Sequence, residues 1–245
     1  PYTPCYIKIK NNDLDSLKKA ITKNTAALLV EPIQGEAGIV IPDKEWLPEA
    51  RKICTANKML LILDEIQSGL GRTGKMFAFE HSSIRPDGLI LGKALGGGLL
   101  PISCFISTSE VMQWFVPGSH GSTFGGYPLA AAIGRRSLEL IEEEGLVENS
   151  NKQGAYFLEE LKKIESPILK EIRGKGLWIG VEINTKIIDG RSICKLLLKK
   201  GILSKETHES TIRFAPPLII EKKEIDWAVQ TFKDTLKEIE QSLNR

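Results

Sequence analysis

The chain has 245 residues, of which 42% are hydrophobic and 26% charged, so it is long enough to bury a core in one or two globular domains. Its 33 basic and 31 acidic residues nearly cancel, which argues against a nucleic-acid or membrane-surface partner and favours small molecules or a second copy of the chain. The four cysteines form no CxxC pair and the three histidines lack zinc-ligand spacing, so we expect free thiols and no metal.

The first half alternates apolar runs with amphipathic stretches, which is typical of βαβ units. Residues 26–31 and 59–63 predict buried strands, and residues 44–58 between them predict a helix. Residues 88–91 and 102–107 are further strand candidates. Strand, helix and strand in this order favour a parallel pair, so we expect an α/β fold with a mostly parallel sheet.

The second half has a different pattern. Residues 128–144 predict one long helix, with Pro128 at its start and Gly145 just past its end. A smaller α+β unit follows, with helices predicted over residues 149–164, 193–200 and from 221 onward, and strands over 177–183 and 211–214. We therefore predict two domains, residues 1–145 and 146–245.

Polar residues end three of the apolar runs. Glu31 follows AALLV, Asp64 follows MLLIL and Lys93 follows GLILG. Ligands of open parallel sheets bind at the carboxyl ends of the strands, so two acids and an amine are expected to share one crevice. An aspartate in this position is equally consistent with a metal ligand, a cap or a cofactor partner.

Lys93 lies in GKALGGG, where glycines remove side chains from around its amine. An accessible, partly desolvated lysine is what a Schiff base with a carbonyl requires. Pyridoxal phosphate (PLP) also needs an acid beside its pyridine nitrogen, and Asp64 would supply that charge. The alternative is a surface lysine in a flexible glycine loop.

Two further glycine-rich segments are ambiguous alone. HGSTFGG, with Ser122 and Thr123, offers hydroxyls and bare amides suited to phosphate, or forms an ordinary tight turn. GLGRTG over residues 69–74 matches the dinucleotide fingerprint GxGxxG. That fingerprint must follow a strand directly and open a helix, and the residues around GLGRTG do not favour this, so we do not expect a nicotinamide site.

Six segments, in order and over nearly the whole chain, resemble the class III, or ornithine-type, aminotransferases of PLP-dependent transferase fold type I. They are EPIQGEAG from Glu31, LDEIQSGLGRTG from Leu63, LGKALGGG from Leu91, GSHGSTFGG from Gly118, RGKGL from Arg173 and IRFAPPL from Ile212. The resemblance implies the C-terminal part of the large sheet domain followed by a small α+β domain.

By this resemblance, the cofactor is PLP and Lys93 is both its covalent attachment point and the group that transfers the proton. Asp64 is expected to pair with the pyridine nitrogen, Ile66 to pack on a face of the ring and Gln67 to contact the phenolic oxygen. These four residues are the expected cofactor site within one chain.

The resemblance also implies a homodimer with shared active sites. Ser122 and Thr123 are expected to reach the phosphate of the neighbouring subunit's cofactor. Tyr127 departs from the family pattern, which usually has asparagine after the two glycines, and its ring is expected to disturb the phosphate loop or the dimer contact.

Substrate selection is implied for Glu36 and Arg213. In the family's ornithine branch such a glutamate engages the arginine while ornithine binds, then releases it to hold the α-carboxylate of glutamate or 2-oxoglutarate. GGGLLPIS and KETHESTIRFAPPL resemble this branch more than the acetylornithine or 4-aminobutyrate branches. The implied reaction converts ornithine and 2-oxoglutarate into glutamate 5-semialdehyde and glutamate. The remaining alternatives are a non-catalytic remnant of the fold and a different PLP enzyme on the same fold, such as a racemase or decarboxylase.

Family members carry a long N-terminal portion that has no counterpart in these residues. It contains a second phosphate loop and groups that bind ornithine, so we expect the 245 residues alone not to turn over ornithine. No apolar run reaches the ~20 residues that span a bilayer, and no signal pattern is present. We expect a cytoplasmic protein, or one of the mitochondrial matrix in a eukaryote.

Overall fold

The structure, a computed structural model, describes residues 4–243. These form two compact units, of which the first contains the chain up to Pro32 together with Pro42–Gln67 and Ala78–Ser137. The second contains Ile33–Ile41, Ser68–Phe77 and the chain from Leu138 onward. The segment Ile33–Ile41 groups with the second unit because Ile33 and Ile39 share a buried cluster with Trp178. The domain boundary at residue 145 stays a prediction.

The first unit contains a four-stranded sheet in the order β1-β2-β3-β4. β1, β2 and β3 are parallel and β4 runs antiparallel to β3, so the expected mostly parallel sheet is confirmed. Its strands are β1 (Ala27–Val30), β2 (Leu60–Asp64), β3 (Gly88–Leu91) and β4 (Cys104–Ser107). Its helices are α1 (Leu14–Ala20), α2 (Trp46–Ala56), α3 (Ser109–Met112) and α4 (Pro128–Glu143). The C-terminal end of α4 belongs to the second unit.

Helix α2 forms because its apolar residues recur on one face. Trp46, Leu47, Ala50 and Cys54 are all buried along it, as the spacing within residues 44–58 predicts. Two short 3-10 helices, Ala78–Ser82 and Lys93–Gly96, also belong to this unit.

The second unit combines helices with an antiparallel sheet in the order β5-β6-β8-β7. Its strands are β5 (Leu169–Gly174), β6 (Ile179–Ile183), β7 (Lys205–Thr207) and β8 (Thr211–Phe214), and its helices are α5 (Leu146–Lys162), α6 (Gly190–Lys199) and α7 (Lys222–Leu243). The predicted helices and the strands β6 and β8 are confirmed. Among the described residues, no helix is long and apolar enough to cross a membrane.

Sequence patterning missed β5 and β7, and both are edge strands of this sheet. β5 reads LKEIRG and β7 reads KET, so charged side chains interrupt the apolar alternation that identifies a strand. Edge strands commonly carry such charges because one side faces no partner strand. The central strand β6 instead buries Ile179, Val181 and Ile183 and was found from its pattern.

Candidate functional site

Three polar residues lie at or just past the carboxyl ends of neighbouring parallel strands. Val30 is in register with Leu63, and Asp64 with Ile90, so β1, β2 and β3 end at one edge of the first unit's sheet. Glu31 follows β1, Asp64 is the last residue of β2, and Lys93 comes two residues after β3. The sheet therefore brings the predicted strand ends together, while the roles of these residues stay predictions.

The Asp64 carboxylate is half-buried and has one oxygen in use. Its Oδ1 accepts a hydrogen bond from the backbone N–H of Ile66 at 3.0 Å. Within residues 4–243, its second oxygen has no hydrogen-bond or ion-pair partner. One oxygen thus orients the carboxylate and the other remains available to a cationic group.

Lys93 has an unusual backbone conformation for a lysine. Its φ is 46°, in the left-handed region that costs a residue with a Cβ about 1–2 kcal/mol. The preceding Gly92 is extended, and a Cβ added to it would lie 3.5 Å from side-chain carbons of Ile66. Lys93 itself is exposed. The amine of Lys93 is therefore accessible, while its left-handed φ is shared by other non-glycine residues, Lys58 among them.

Glu65 is a residue of this group that the sequence reasoning missed. It is 1% exposed, and its carboxylate accepts hydrogen bonds from the backbone N–H groups of Ala78 at 2.6 Å and Phe79 at 2.9 Å. Its own N–H donates to the carbonyl of Ile90 at 2.9 Å. The segment that carries Asp64 is thereby fixed to a 3-10 helix and to β3. A second acid directly after Asp64, at the end of an apolar run, was the available signal, because a carboxylate buried there requires donors.

Replacement of Glu65 by alanine is expected to lower the free energy of unfolding by about 3 kcal/mol, because two backbone donors lose their acceptor. Glutamine keeps one acceptor oxygen, so Glu65→Gln is expected to cost about 1 kcal/mol. Urea unfolding of the natural chain that contains these residues, without cofactor, measures both. Equal stability of wild type and Glu65→Ala would contradict the role of Glu65 as the acceptor for the N–H groups of Ala78 and Phe79.

The remaining predicted residues of the first unit have fewer contacts. Gln67 is half-buried, and Ser122 and Thr123 lie in an exposed turn that precedes α4. Among the described residues, no hydrogen bond or ion pair joins these three to Asp64 or Lys93. Tyr127 is 47% exposed at the start of α4, and its effect stays a prediction.

The predicted pair Glu36 and Arg213 is formed within the second unit. A guanidinium nitrogen of Arg213 donates to Glu36 Oε1 at 2.7 Å and lies 3.4 Å from the carbonyl of Gly35. The Arg213 side chain is 12% exposed, whereas that of Glu36 is 60% exposed. A largely buried cation is thus neutralised by an accessible carboxylate, which is the arrangement expected of a displaceable partner.

The backbone around Glu36 is held from two sides. Thr207 Oγ1 donates to the carbonyl of Glu36. The guanidinium of Arg173 donates to the carbonyls of Gly38 at 2.7 Å and Ile39 at 3.1 Å. The turn also requires Gly38, whose φ is 109° and whose added Cβ would lie 2.8 Å from Thr211 Oγ1. RGKGL was noted only as a motif, so this function of Arg173 came from the structure.

Arg173 is itself oriented by an acid. It lies 3.1 Å from Glu182, which also accepts a hydrogen bond from Thr211 Oγ1 at 2.6 Å. Burial alone would raise the pKa of Glu182, but hydrogen bonds from Thr211, Ser210 and Arg173 outweigh it and lower the pKa. Glu182 therefore stays ionised, and the charge of Arg173 is compensated while its guanidinium holds the Glu36 turn.

The glycine motif at residues 69–74 has a packing role in the second unit. The segment is a series of turns, where a dinucleotide fingerprint requires the start of a helix. Arg72 donates to the carbonyls of Leu177 at 3.0 Å and Pro216 at 2.6 Å. A Cβ added to Gly74 would lie 2.8 Å from Asn151 Cα. These residues are explained by close packing of the turn.

The order of these segments along the chain matches a known family. The family model of class-III aminotransferases matches residues 5–236. The chain belongs to this family. The resemblance noted in the six segments is thereby confirmed.

Individual members of the class-III family agree with this assignment. The chain is 52% identical to the ornithine aminotransferase of Brevibacillus brevis over 236 residues, which cover 96% of this chain and 58% of that protein. It superposes on the ornithine aminotransferase of Toxoplasma gondii with a TM-score of 0.97 and 39% identity, covering 100% of this chain and 58% of that one. The chain thus spans a little over half the length of these relatives.

A solved acetylornithine aminotransferase is about as similar. The enzyme from Elizabethkingia anophelis has a TM-score of 0.92 and 40% identity, over 96% of this chain and 63% of that one. These structures confirm the predicted α/β fold of type I transferases. The structure of the Toxoplasma gondii protein was obtained with partial occupancy of PLP at its active site.

The residues expected to form the cofactor site are chemically suited to PLP. Asp64 offers an unpartnered carboxylate oxygen, and Lys93 offers an exposed amine that has no hydrogen-bond or ion-pair partner within the described part of the chain. Gly92 leaves bare backbone beside the branched side chain of Ile66. An acid, an amine and an apolar surface are the groups that the protonated pyridine nitrogen, the aldehyde and the ring face of PLP require.

Proposed function

We propose that the natural chain containing these residues is a PLP-dependent aminotransferase that acts on ornithine. It would transfer the terminal amine of ornithine to 2-oxoglutarate, giving glutamate 5-semialdehyde and glutamate. Membership of the class-III family and the ornithine aminotransferases at about half identity support the proposal. The observation that carries the choice of substrate is the Glu36–Arg213 ion pair.

Lys93, Asp64, Ile66 and Gln67 would hold the cofactor. The chemistry supplied by bound PLP is an electron sink that stabilises negative charge on the substrate carbon. The Asp64 carboxylate would keep the pyridine nitrogen protonated, and Ile66 would exclude water from one face of the ring. Gln67 would contact the phenolic oxygen.

The amine of Lys93 would move the proton. With the substrate bound at the cofactor, the Nζ of Lys93 would be free to remove a proton from the amine-bearing carbon of the substrate. The exposure of Lys93 supports such access. The rigid segment held by Glu65 would keep the Asp64 carboxylate in position during this transfer.

A second subunit is part of the proposal. Ser122 and Thr123 would bind the phosphate of the neighbouring subunit's cofactor, so the active unit would be a homodimer. Both residues are exposed in the described chain, as are the nearby aromatic side chains of Trp114 and Phe124. An exposed apolar patch of this kind is consistent with contact to another protein surface.

The Glu36–Arg213 pair explains how one protein would accept two unlike substrates. Ornithine presents an amine at its reacting end, and an unpaired arginine would repel that amine. With Glu36 bound at 2.7 Å, the charge of Arg213 is neutralised. A substrate carboxylate could displace Glu36 and form a bidentate pair with the guanidinium, which suits 2-oxoglutarate and glutamate.

An acetylornithine aminotransferase is the second candidate, because such an enzyme has 40% identity to this chain. The two activities differ in whether the α-amine of the substrate is free or acetylated. The test is a coupled assay of the purified natural chain loaded with PLP. Ornithine, acetylornithine and 4-aminobutyrate are compared as amine donors, each with 2-oxoglutarate as the acceptor.

We expect the highest kcat/KM for ornithine, with glutamate 5-semialdehyde as product. A preference for acetylornithine or 4-aminobutyrate would transfer the assignment to that substrate. No transamination of any of the three by PLP-loaded protein would indicate a non-catalytic member of the family.

A further inference from the structure

The Glu36 carboxylate lies between two cations. Its Oε1 is 2.7 Å from a nitrogen of Arg213, and its Oε2 is 3.9 Å from the Nζ of Lys205. Lys205 is the residue directly opposite Arg213 in the antiparallel pair of β7 and β8. Residues in this register present their side chains on the same face of a sheet, so both cations face the acid.

Like charges directly opposite each other destabilise a strand pair. Glu36 relieves this repulsion while it lies between Lys205 and Arg213. If a substrate carboxylate replaces Glu36 on Arg213, the Glu36 charge needs another partner, because two carboxylates near one guanidinium repel each other. Lys205 lies within ion-pair range of Glu36 and can serve as that partner.

The turn that carries Glu36 restricts how the carboxylate can move. Thr207 holds the carbonyl of Glu36, and Arg173 holds those of Gly38 and Ile39. Gln34 and Val40 exchange two backbone hydrogen bonds, so the turn is also closed on either side of Glu36. The Glu36 side chain is nevertheless 60% exposed. Release from Arg213 is therefore a rotation of the side chain on a fixed turn, and the carboxylate remains near Lys205.

We propose that Lys205 is a specificity-determining residue that receives the Glu36 carboxylate when a substrate carboxylate takes its place on Arg213. This inference rests on the proposed function. Arg173 and Thr207 are positioning residues in it, since they keep Glu36 within reach of both cations. Lys205 thus favours the half-reaction with 2-oxoglutarate, whose α-carboxylate needs Arg213, and has no effect on the ornithine half-reaction.

The test measures the two half-reactions of the natural chain separately, from the change in cofactor absorbance. Ornithine is added to the aldehyde (PLP) form of the cofactor, and 2-oxoglutarate is added to its amine form. Lys205→Gln is expected to lower kcat/KM for 2-oxoglutarate about fivefold, the upper end for an exposed ion pair, and to leave that for ornithine unchanged. Lys205→Arg is expected to restore the 2-oxoglutarate value. Lys195→Gln, at another exposed lysine of the same unit, is the matched control.

A double-mutant cycle separates the proposed transfer of Glu36 from general attraction of anions by lysine. In the Glu36→Gln background, where there is no charge to receive, Lys205→Gln is expected to have no effect on 2-oxoglutarate. A persistent fivefold loss in that background would overturn the proposal, as would an equal loss in both half-reactions.

Equilibrium binding of glutarate, a dicarboxylate that cannot react, provides a readout independent of turnover. Lys205→Gln is expected to weaken glutarate binding about fivefold in the wild-type background and not in Glu36→Gln. If the wild type does not accept ornithine, the proposed function fails, yet the glutarate cycle still decides the role of Lys205. Unchanged glutarate affinity in Lys205→Gln would contradict it.

Discussion

Replacement of Lys93 by alanine is expected to abolish transamination by the natural chain. Loss of the proton transfer alone accounts for about a 100- to 10,000-fold decrease in kcat. Lys93 lies just past β3, at the sheet edge where β2 ends in Asp64, and its amine is exposed. Stopped-flow measurement of the ornithine half-reaction, with PLP bound, gives the rate.

Lys58→Ala is a closely matched control for this variant. Lys58 is also exposed, belongs to the same unit and has a left-handed backbone with a φ of 54°. Both variants therefore remove a lysine side chain from a left-handed backbone position, and only Lys93→Ala is expected to lose activity. Near-normal rates in Lys93→Ala would show that another group moves the proton.

The attachment site has its own measurement. Borohydride reduction of the PLP-loaded protein, followed by peptide mass mapping, is expected to place the pyridoxyl group on Lys93 in the wild type. No pyridoxyl peptide is expected from Lys93→Ala. A label on a different lysine of the wild type would refute the assignment of Lys93 as the attachment site.

Asp64→Asn is expected to lower kcat about 100- to 1,000-fold, the usual effect of removing one preorganised charged group from a reacting centre. Asparagine keeps an oxygen that accepts the N–H of Ile66, so the local turn is preserved while the charge is lost. The pyridine nitrogen then loses the carboxylate that stabilises its protonated form. Pre-steady-state rates and the absorbance spectrum of the bound cofactor measure the effect.

Asp64→Glu restores the charge with a longer side chain and is expected to recover part of the rate. Urea unfolding of the apoprotein shows whether the fold has changed, and we expect both variants to match the wild type. An Asp64→Asn protein with an unaltered cofactor spectrum and a normal rate would exclude this acid as the partner of the ring nitrogen.

The amino-acid sequence alone was sufficient to predict the central strands and helices of both units. The runs that became β1, β2 and β3 are continuous and apolar, which is typical of the strands of a parallel sheet. Polar residues directly after such runs must lie at one sheet edge if the strands are parallel. The placement of Glu31, Asp64 and Lys93 followed from this local rule.

The charged edge strands β5 and β7 and the side-chain networks did not follow from local pattern. β5 and β7 carry charges because each pairs on one side only, so their pattern resembles that of a loop. The burial of Glu65 depends on donors thirteen and fourteen residues away, at Ala78 and Phe79. No window of neighbouring residues contains that information.

The turn that carries Glu36 shows the same difference between what the local sequence predicts and what only the folded chain reveals. Local sequence, through resemblance to the family, was enough to name Glu36 and Arg213 as a pair. The hold of Arg173 on the turn and the position of Lys205 opposite Arg213 required the folded chain, because these contacts join residues more than 130 positions apart or depend on strand register. Hydrophobic periodicity specifies elements, whereas the partners of charged side chains are set by how those elements pack.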